Sequence, residues 1–158
     1  MKSAYLSLGS NLGDRKKNLE SALELLAAPR LRVVRLSPSY ETEPVDCPGQ
    51  PYFLNAVCEV ETSLFPMMLL SHVERVERKL GRKSKAANAP RTIDIDILLY
   101  GNVVVDCGKL IIPHARLAER RFVLAPMVDL APDLRHPVLK KTMRDLLGAV
   151  KGQRIKRL

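Results

Sequence analysis

The stretch Arg91-Thr92-Ile93-Asp94-Ile95-Asp96-Ile97-Leu98 decides how the fold is read. Branched residues at every second position favour a pleated strand, and strand side chains alternate between faces. Ile93, Ile95 and Ile97 therefore share one face, and Asp94 and Asp96 share the other. A strong strand is expected over 92–100, followed by a turn at Gly101-Asn102 into Val103-Val104-Val105. Upstream, Pro66 suits the first turn of a helix whose Leu69, Val73, Val76 and Leu80 form one stripe before Gly81 closes it. Before that lie a strand over 52–62, a Pro- and Gly-bearing loop over 41–51, and a strand over 31–40. The chain opens with a strand over 4–8. Asp14 is placed to cap a helix carrying Leu19, Ala22, Leu23 and Leu26 at helical spacing.

The order strand, helix, strand, strand, helix, strand, with short helices expected near 122–129 and 142–150, gives an α+β class. The specific expectation is a ferredoxin-like plait, a mostly antiparallel sheet flanked by helices. A chain of 158 residues with 46% apolar content fits one domain with a single substantial core. The segment 151–157 is expected to be a basic, solvated tail.

A formal net charge of +9 favours an anionic partner. Only 4% of the residues are aromatic, and no RNP-like or helix-turn-helix pattern occurs, which argues against nucleic acid as the main partner. The N-terminal apolar run is broken by Gly9-Ser10-Asn11, and no later run approaches membrane-spanning length, so a soluble cytoplasmic protein without a membrane partner is expected. Cys47, Cys58 and Cys107 are widely spaced without a C-x-x-C pair and are read as reduced thiols.

Asp94 and Asp96 carry the clearest chemical signal. Their Cα atoms should lie about 6.6 Å apart, so the carboxylates can converge on one hard cation or bridge two. Oxygen donors without His or Cys favour magnesium. The competing reading is the wet face of an antiparallel strand, against which stand the rarity of Asp in strands and the repulsion of adjacent like charges. Cations suited to a polyphosphate surround the pair: Arg82, Lys83, Lys85 and Arg91 before it, and Lys109, His114, Arg116, Arg120 and Arg121 after it. His114 could donate to a phosphate or be structural. No Walker-type or Rossmann glycine loop occurs, leaving metal and side chains to hold phosphate. Phe53 beside Asn55 pairs an aromatic plate with an amide, a pairing suited to a flat heterocycle, although a partly buried Phe with a structural Asn is the simpler explanation of the pair taken alone.

Leu6-Ser-Leu-Gly-Ser-Asn-Leu-Gly13, Tyr40-Glu-Thr42, Phe53-Leu-Asn55, Pro90-Arg-Thr-Ile-Asp-Ile-Asp-Ile-Leu98, Pro113-His114 and Arg120-Arg-Phe122-Val-Leu-Ala-Pro126 occur in this order. The chain thereby closely resembles the 6-hydroxymethyl-7,8-dihydropterin pyrophosphokinases of folate biosynthesis, over residues 3 to 135. The resemblance implies transfer of pyrophosphate from ATP to the pterin hydroxymethyl group with release of AMP. It implies two magnesium ions on Asp94 and Asp96, with Arg82 and Arg91 joining them as catalytic residues. Phe53 and Phe122 would sandwich the pterin, and Asn55, Thr42 and the backbone near Leu8 and Val45 would read its edge. Arg82, Lys85, Arg91, His114 and Arg120 would face the ATP phosphates, Glu74 and Glu77 would line the nucleotide site, and Ile97 and Lys109 would touch the nucleoside. The chain departs from the family at Ala87-Asn88-Ala89, where a tryptophan often sits. A monomer is expected. The competing functional readings are a basic RNA-binding plait without catalysis and a pyrophosphokinase for another small acceptor.

Overall fold

The computed structural model describes residues 1–43, 49–81 and 92–158. Val45, Arg82, Lys85 and Arg91, together with Cys47 and Ala87-Asn88-Ala89, lie outside the described residues. The framework elements are β1 (Lys2–Ser10), α1 (Arg15–Leu26), β2 (Leu31–Leu36), β3 (Tyr40–Thr42), β4 (Phe53–Thr62), α2 (Pro66–Lys79) and β5 (Asp94–Tyr100). After them come β6 (Val105–Asp106), β7 (Ile111–Ile112), α3 (Arg121–Leu130), α4 (Met143–Ala149) and β8 (Ile155–Arg157).

Local chemistry accounts for the helix starts. Asp14 caps α1 by accepting a hydrogen bond from the Lys17 N–H at 3.2 Å, and Thr142 does the same for α4 toward Asp145 at 3.1 Å. Pro66 opens α2, where its missing N–H costs nothing. Among the described residues the main sheet has six strands, ordered β5-β1-β4-β3-β8, with β2 also paired to β4, and its ladders are antiparallel. The order β5-β1-β4-β2, with α1 and α2 packed together on one face, is the ferredoxin-like plait expected from element order.

The expected strand over 31–40 is interrupted. Pro38 has no N–H for a ladder, and Ser37 bridges the break, giving its N–H to the Val57 carbonyl and accepting the Val57 N–H on its hydroxyl, both at 2.9 Å. Val103-Val104 does not return against β5; Val105 pairs with Ile112 in a separate two-stranded ribbon. The segment expected as a solvated basic tail instead contributes β8. There Thr42, Glu41 and Tyr40 pair with Ile155, Lys156 and Arg157. Only Ile155 signalled this in the sequence, and its partner strand lies more than a hundred residues earlier.

The sheet is buried on both faces, so the single expected core is in fact two. Leu6, Leu8, Ala56, Cys58, Ile93, Ile95 and Ile97 pack under α1 and α2. Tyr5, Val57, Leu98 and Leu99 pack under α3 and α4, where Leu124, Met127 and Met143 are fully enclosed. Leu124→Ala is expected to lower stability by about 2–5 kcal/mol and the melting temperature by roughly 6–15 °C. An unchanged thermal melt would show that the second core does not support the fold.

Candidate active site

Gly9 on β1 pairs with Asn55 on β4 and with Asp94 on β5, and Ser7 pairs with Val57 and Asp96. Residues directly opposite in a sheet share a face. Asn55, Gly9 and Asp94 thus form a row across three strands, on the face that α3 and α4 cover. The next row, Val57, Ser7 and Asp96, borders the second core, where Val57 is fully buried. Asp94 and Asp96 remain half-buried, and the Asp96 side chain is 33% exposed.

A bulge in β5 sets what lies beyond them. Leu6 pairs with Ile97 and Tyr5 with Leu99, so Leu98 is an extra residue. Leu98 and Leu99 both enter the second core. Tyr100 then turns to the first core, where its hydroxyl donates to the Leu64 carbonyl at 2.6 Å. The Leu98 carbonyl accepts the His114 N–H at 2.9 Å, which fastens the His114 segment beside the acidic pair.

His114 Nδ1 accepts the Arg116 N–H at 3.1 Å, so a neutral ring carries its proton on Nε2. Nε2 lies 3.9 Å from Asp96 Oδ2. Burial pushes the His114 pKa down to about 4, aided by the Arg120 and Arg116 charges and opposed by Asp94. At neutral pH the approach to Asp96 is therefore not an ion pair. His114 presents an N–H donor beside two carboxylates. Arg120 Nη1 stands 4.0 Å from the same Asp96 oxygen, beyond the distance of a charge-assisted hydrogen bond. Its guanidinium also lies over the Phe122 ring, 5.6 Å from the centroid.

The other end of the row is built for recognition. Asn55 Nδ2 donates to Thr42 Oγ1 at 2.7 Å, both residues being buried. A Cβ added at Gly9 would sit 2.7 Å from Asn55 Oδ1 and 3.6 Å from Phe53 Cδ1, so the missing side chain is what admits the amide and ring. Thr42, Glu43 and Phe122 line a cleft of about 180 Å³ whose remaining wall is Gly152, Gln153, Arg154 and Ile155. The β1–α1 loop is tied alongside: Asn11 donates to Gln50 Oε1 and the Pro51 carbonyl, and Arg15 to the Tyr52 carbonyl and Glu41.

The structure thus brings together Asp94, Asp96, His114 and Arg120, and next to them Thr42, Asn55, Phe53 and Phe122. Other expected residues lie apart. Glu77 is 1% exposed and meets β5 through the Ile95 N–H, which it accepts at 2.9 Å, and Glu74 is half-buried one turn earlier on α2. Ile97 and Leu8 belong to the first core, with 5% and 1% exposure. Lys109 is exposed in the turn between β6 and β7. Sequence reasoning did not find Gly9 as the gap in the row, nor residues 152–155 as a cleft wall; both depend on pairing between distant strands. Among the described residues, no group of three or more His, Cys, Asp or Glu is arranged so that together they could hold a metal ion. No helix among them is long and apolar enough to cross a membrane.

Residues 5–132 match the family model described as 7,8-dihydro-6-hydroxymethylpterin-pyrophosphokinase. The chain is 39% identical over 155 residues to the 2-amino-4-hydroxy-6-hydroxymethyldihydropteridine pyrophosphokinase of Pseudomonas aeruginosa, covering 98% of this chain and 95% of that one. It is 42% identical over 156 residues to the folic acid synthesis protein fol1 of Schizosaccharomyces pombe, covering 98% of this chain but only 21% of the relative's length. Among solved structures, the Plasmodium falciparum HPPK-DHPS with pteroate superposes with a TM-score of 0.76 at 18% identity, over 93% of this chain and 44% of that one.

Proposed function

The chain belongs to the 7,8-dihydro-6-hydroxymethylpterin-pyrophosphokinase family, and on that premise we propose that it transfers pyrophosphate from ATP to 6-hydroxymethyl-7,8-dihydropterin, releasing AMP, in folate biosynthesis. The observation that carries the reading is the acidic pair on one face of β5, with His114 and Arg120 beside it and the Asn55–Thr42 amide–hydroxyl pair across Gly9. In the transfer, the pterin hydroxymethyl oxygen forms a bond to the β-phosphorus. The bond from that phosphorus to the α,β-bridging oxygen breaks, its electron pair leaves with AMP, and the hydroxyl proton is released to solvent.

The donor set fits magnesium. Two hard carboxylates, with no set of three His, Cys, Asp or Glu among the described residues arranged to hold a metal ion, leave the other coordination positions to water and phosphate oxygens, as magnesium at nucleotide sites requires. When bound, two ions held by Asp94 and Asp96 would neutralise the triphosphate and the charge growing on the departing oxygen. Arg120 keeps its positive charge throughout turnover and faces the same phosphates, while His114, whose Nδ1 is engaged by the Arg116 N–H, has its Nε2–H to donate to them. Arg82, Lys85 and Arg91 are assigned to the phosphates on their sequence motifs, with Arg82 and Arg91 catalytic. Glu74, Glu77, Ile97 and Lys109 are assigned to the nucleoside side. Phe53 and Phe122 hold the pterin ring, and Asn55, Thr42 and the backbone near Leu8 and Val45 read its edge. The assignment takes residues 1–158 as one cytoplasmic, monomeric domain acting on small molecules.

The test is AMP formation by the purified protein with ATP and magnesium. AMP should appear only when the reduced pterin is supplied. AMP production that ignores the pterin, or none in its presence, would refute the reading.

A further inference from the structure

Gln153 bridges the backbone on both sides of Arg120. Its Oε1 accepts the Arg121 N–H at 2.7 Å, and its Nε2 donates to the Glu119 carbonyl at 3.4 Å. Its main-chain carbonyl accepts from Arg121 Nη1 at 3.2 Å. Arg121 is the first residue of α3, so its N–H is one of the four that a helix cannot satisfy internally. The residue at the cap position, Arg120, makes no side-chain capping bond. The cap therefore comes from 32 residues further along the chain.

What this cap holds is the junction between the two halves of the site. Arg120 precedes α3, reaches to 4.0 Å from Asp96 and covers the Phe122 ring. Phe122 in turn lines the cleft together with Thr42, Glu43, Gly152, Gln153, Arg154 and Ile155. Pairing of β8 with β3 fixes that wall to Thr42. A shift of the first turn of α3 would therefore move the ring and the guanidinium together.

We propose that Gln153 is a positioning residue for the acceptor: it caps α3 from a distant segment of the same chain, setting Phe122 and Arg120 against the cleft, whose wall the 152–155 segment supplies. The inference rests on the pterin reading above. It adds a part of the chain that lies beyond the matched residues 5–132.

Gln153→Ala removes both side-chain bonds. It is expected to raise KM for the reduced pterin about tenfold and, because Arg120 moves with Phe122, to raise the KM for ATP as well. Gln153→Glu keeps an acceptor for the Arg121 N–H and puts a negative charge at a helix N-terminus, where it is favourable. It should return the pterin KM to within about threefold of the parent. Melting temperatures of both variants separate positioning from stability. A lowered melting temperature with unchanged pterin KM would overturn the proposal, as would a Glu variant as impaired as the Ala variant. Failure of the function itself shows differently, as absence of pterin-dependent AMP formation in the parent protein.

Discussion

Asp96→Ala is expected to lower pterin-dependent AMP formation by about 10³-fold while the melting temperature changes little. The side chain stands on the face of β5 opposite the isoleucines, is 33% exposed, and has Arg120 and His114 at 4.0 and 3.9 Å. It contributes no apolar packing, so its loss removes charge rather than core. Asp94→Ala should behave alike, since Asp94 occupies the equivalent position one row along, opposite Gly9. Asp96→Asn preserves shape and hydrogen-bonding size but not charge, and the proposed role requires it to fail nearly as badly. Single-turnover rates with saturating ATP, pterin and magnesium give the measurement. Turnover within tenfold of the parent in any of the three variants would remove the carboxylates from the mechanism.

Gly9→Ala should cost about 10- to 100-fold in affinity for the reduced pterin, with ATP affinity unchanged. The added methyl would lie 2.7 Å from Asn55 Oδ1, closer than real Cβ atoms come, so one of the two must give way. Asn55 has little room to do so: its other end is bonded to Thr42 at 2.7 Å, and Phe53 is the next nearest neighbour. Gly9 does not adopt a left-handed backbone, so alanine tests the close approach alone. The coupling can be isolated. In an Asn55→Ala background the same Gly9→Ala change should cost little, because the atom it strikes is gone. Equal costs in both backgrounds would show that the amide is not what the gap accommodates.

Much of this arrangement is written in short-range pattern. The isoleucine–aspartate alternation places both acids on one face with no knowledge of the partners, because strand geometry alone fixes the period. The helical stripes, the Asp14 cap and the Pro66 start are equally local. Three features are not. Strand parity puts Val57 on the face of Phe53 and Asn55, but its complete burial depends on α3 and α4, which cover that face from more than sixty residues away. The break at Ser37 depends on a serine hydroxyl replacing a backbone group opposite Val57. Gln153 looks like an ordinary polar residue in a basic segment, and its meaning lies in the uncapped start of a helix elsewhere. Local periodicity reports what a segment can do, whereas these three report what a distant segment lacks.

The unopposed Leu98 gives β5 two independent phases. Upstream of it, adding or deleting one residue would exchange the faces of the whole set, driving both acids into hydrocarbon and the isoleucines outward. Downstream, the orientation of Tyr100 is already set by the offset and by its bond to Leu64. Length variation in the 101–104 connection is thus insulated from the orientation of Asp94 and Asp96.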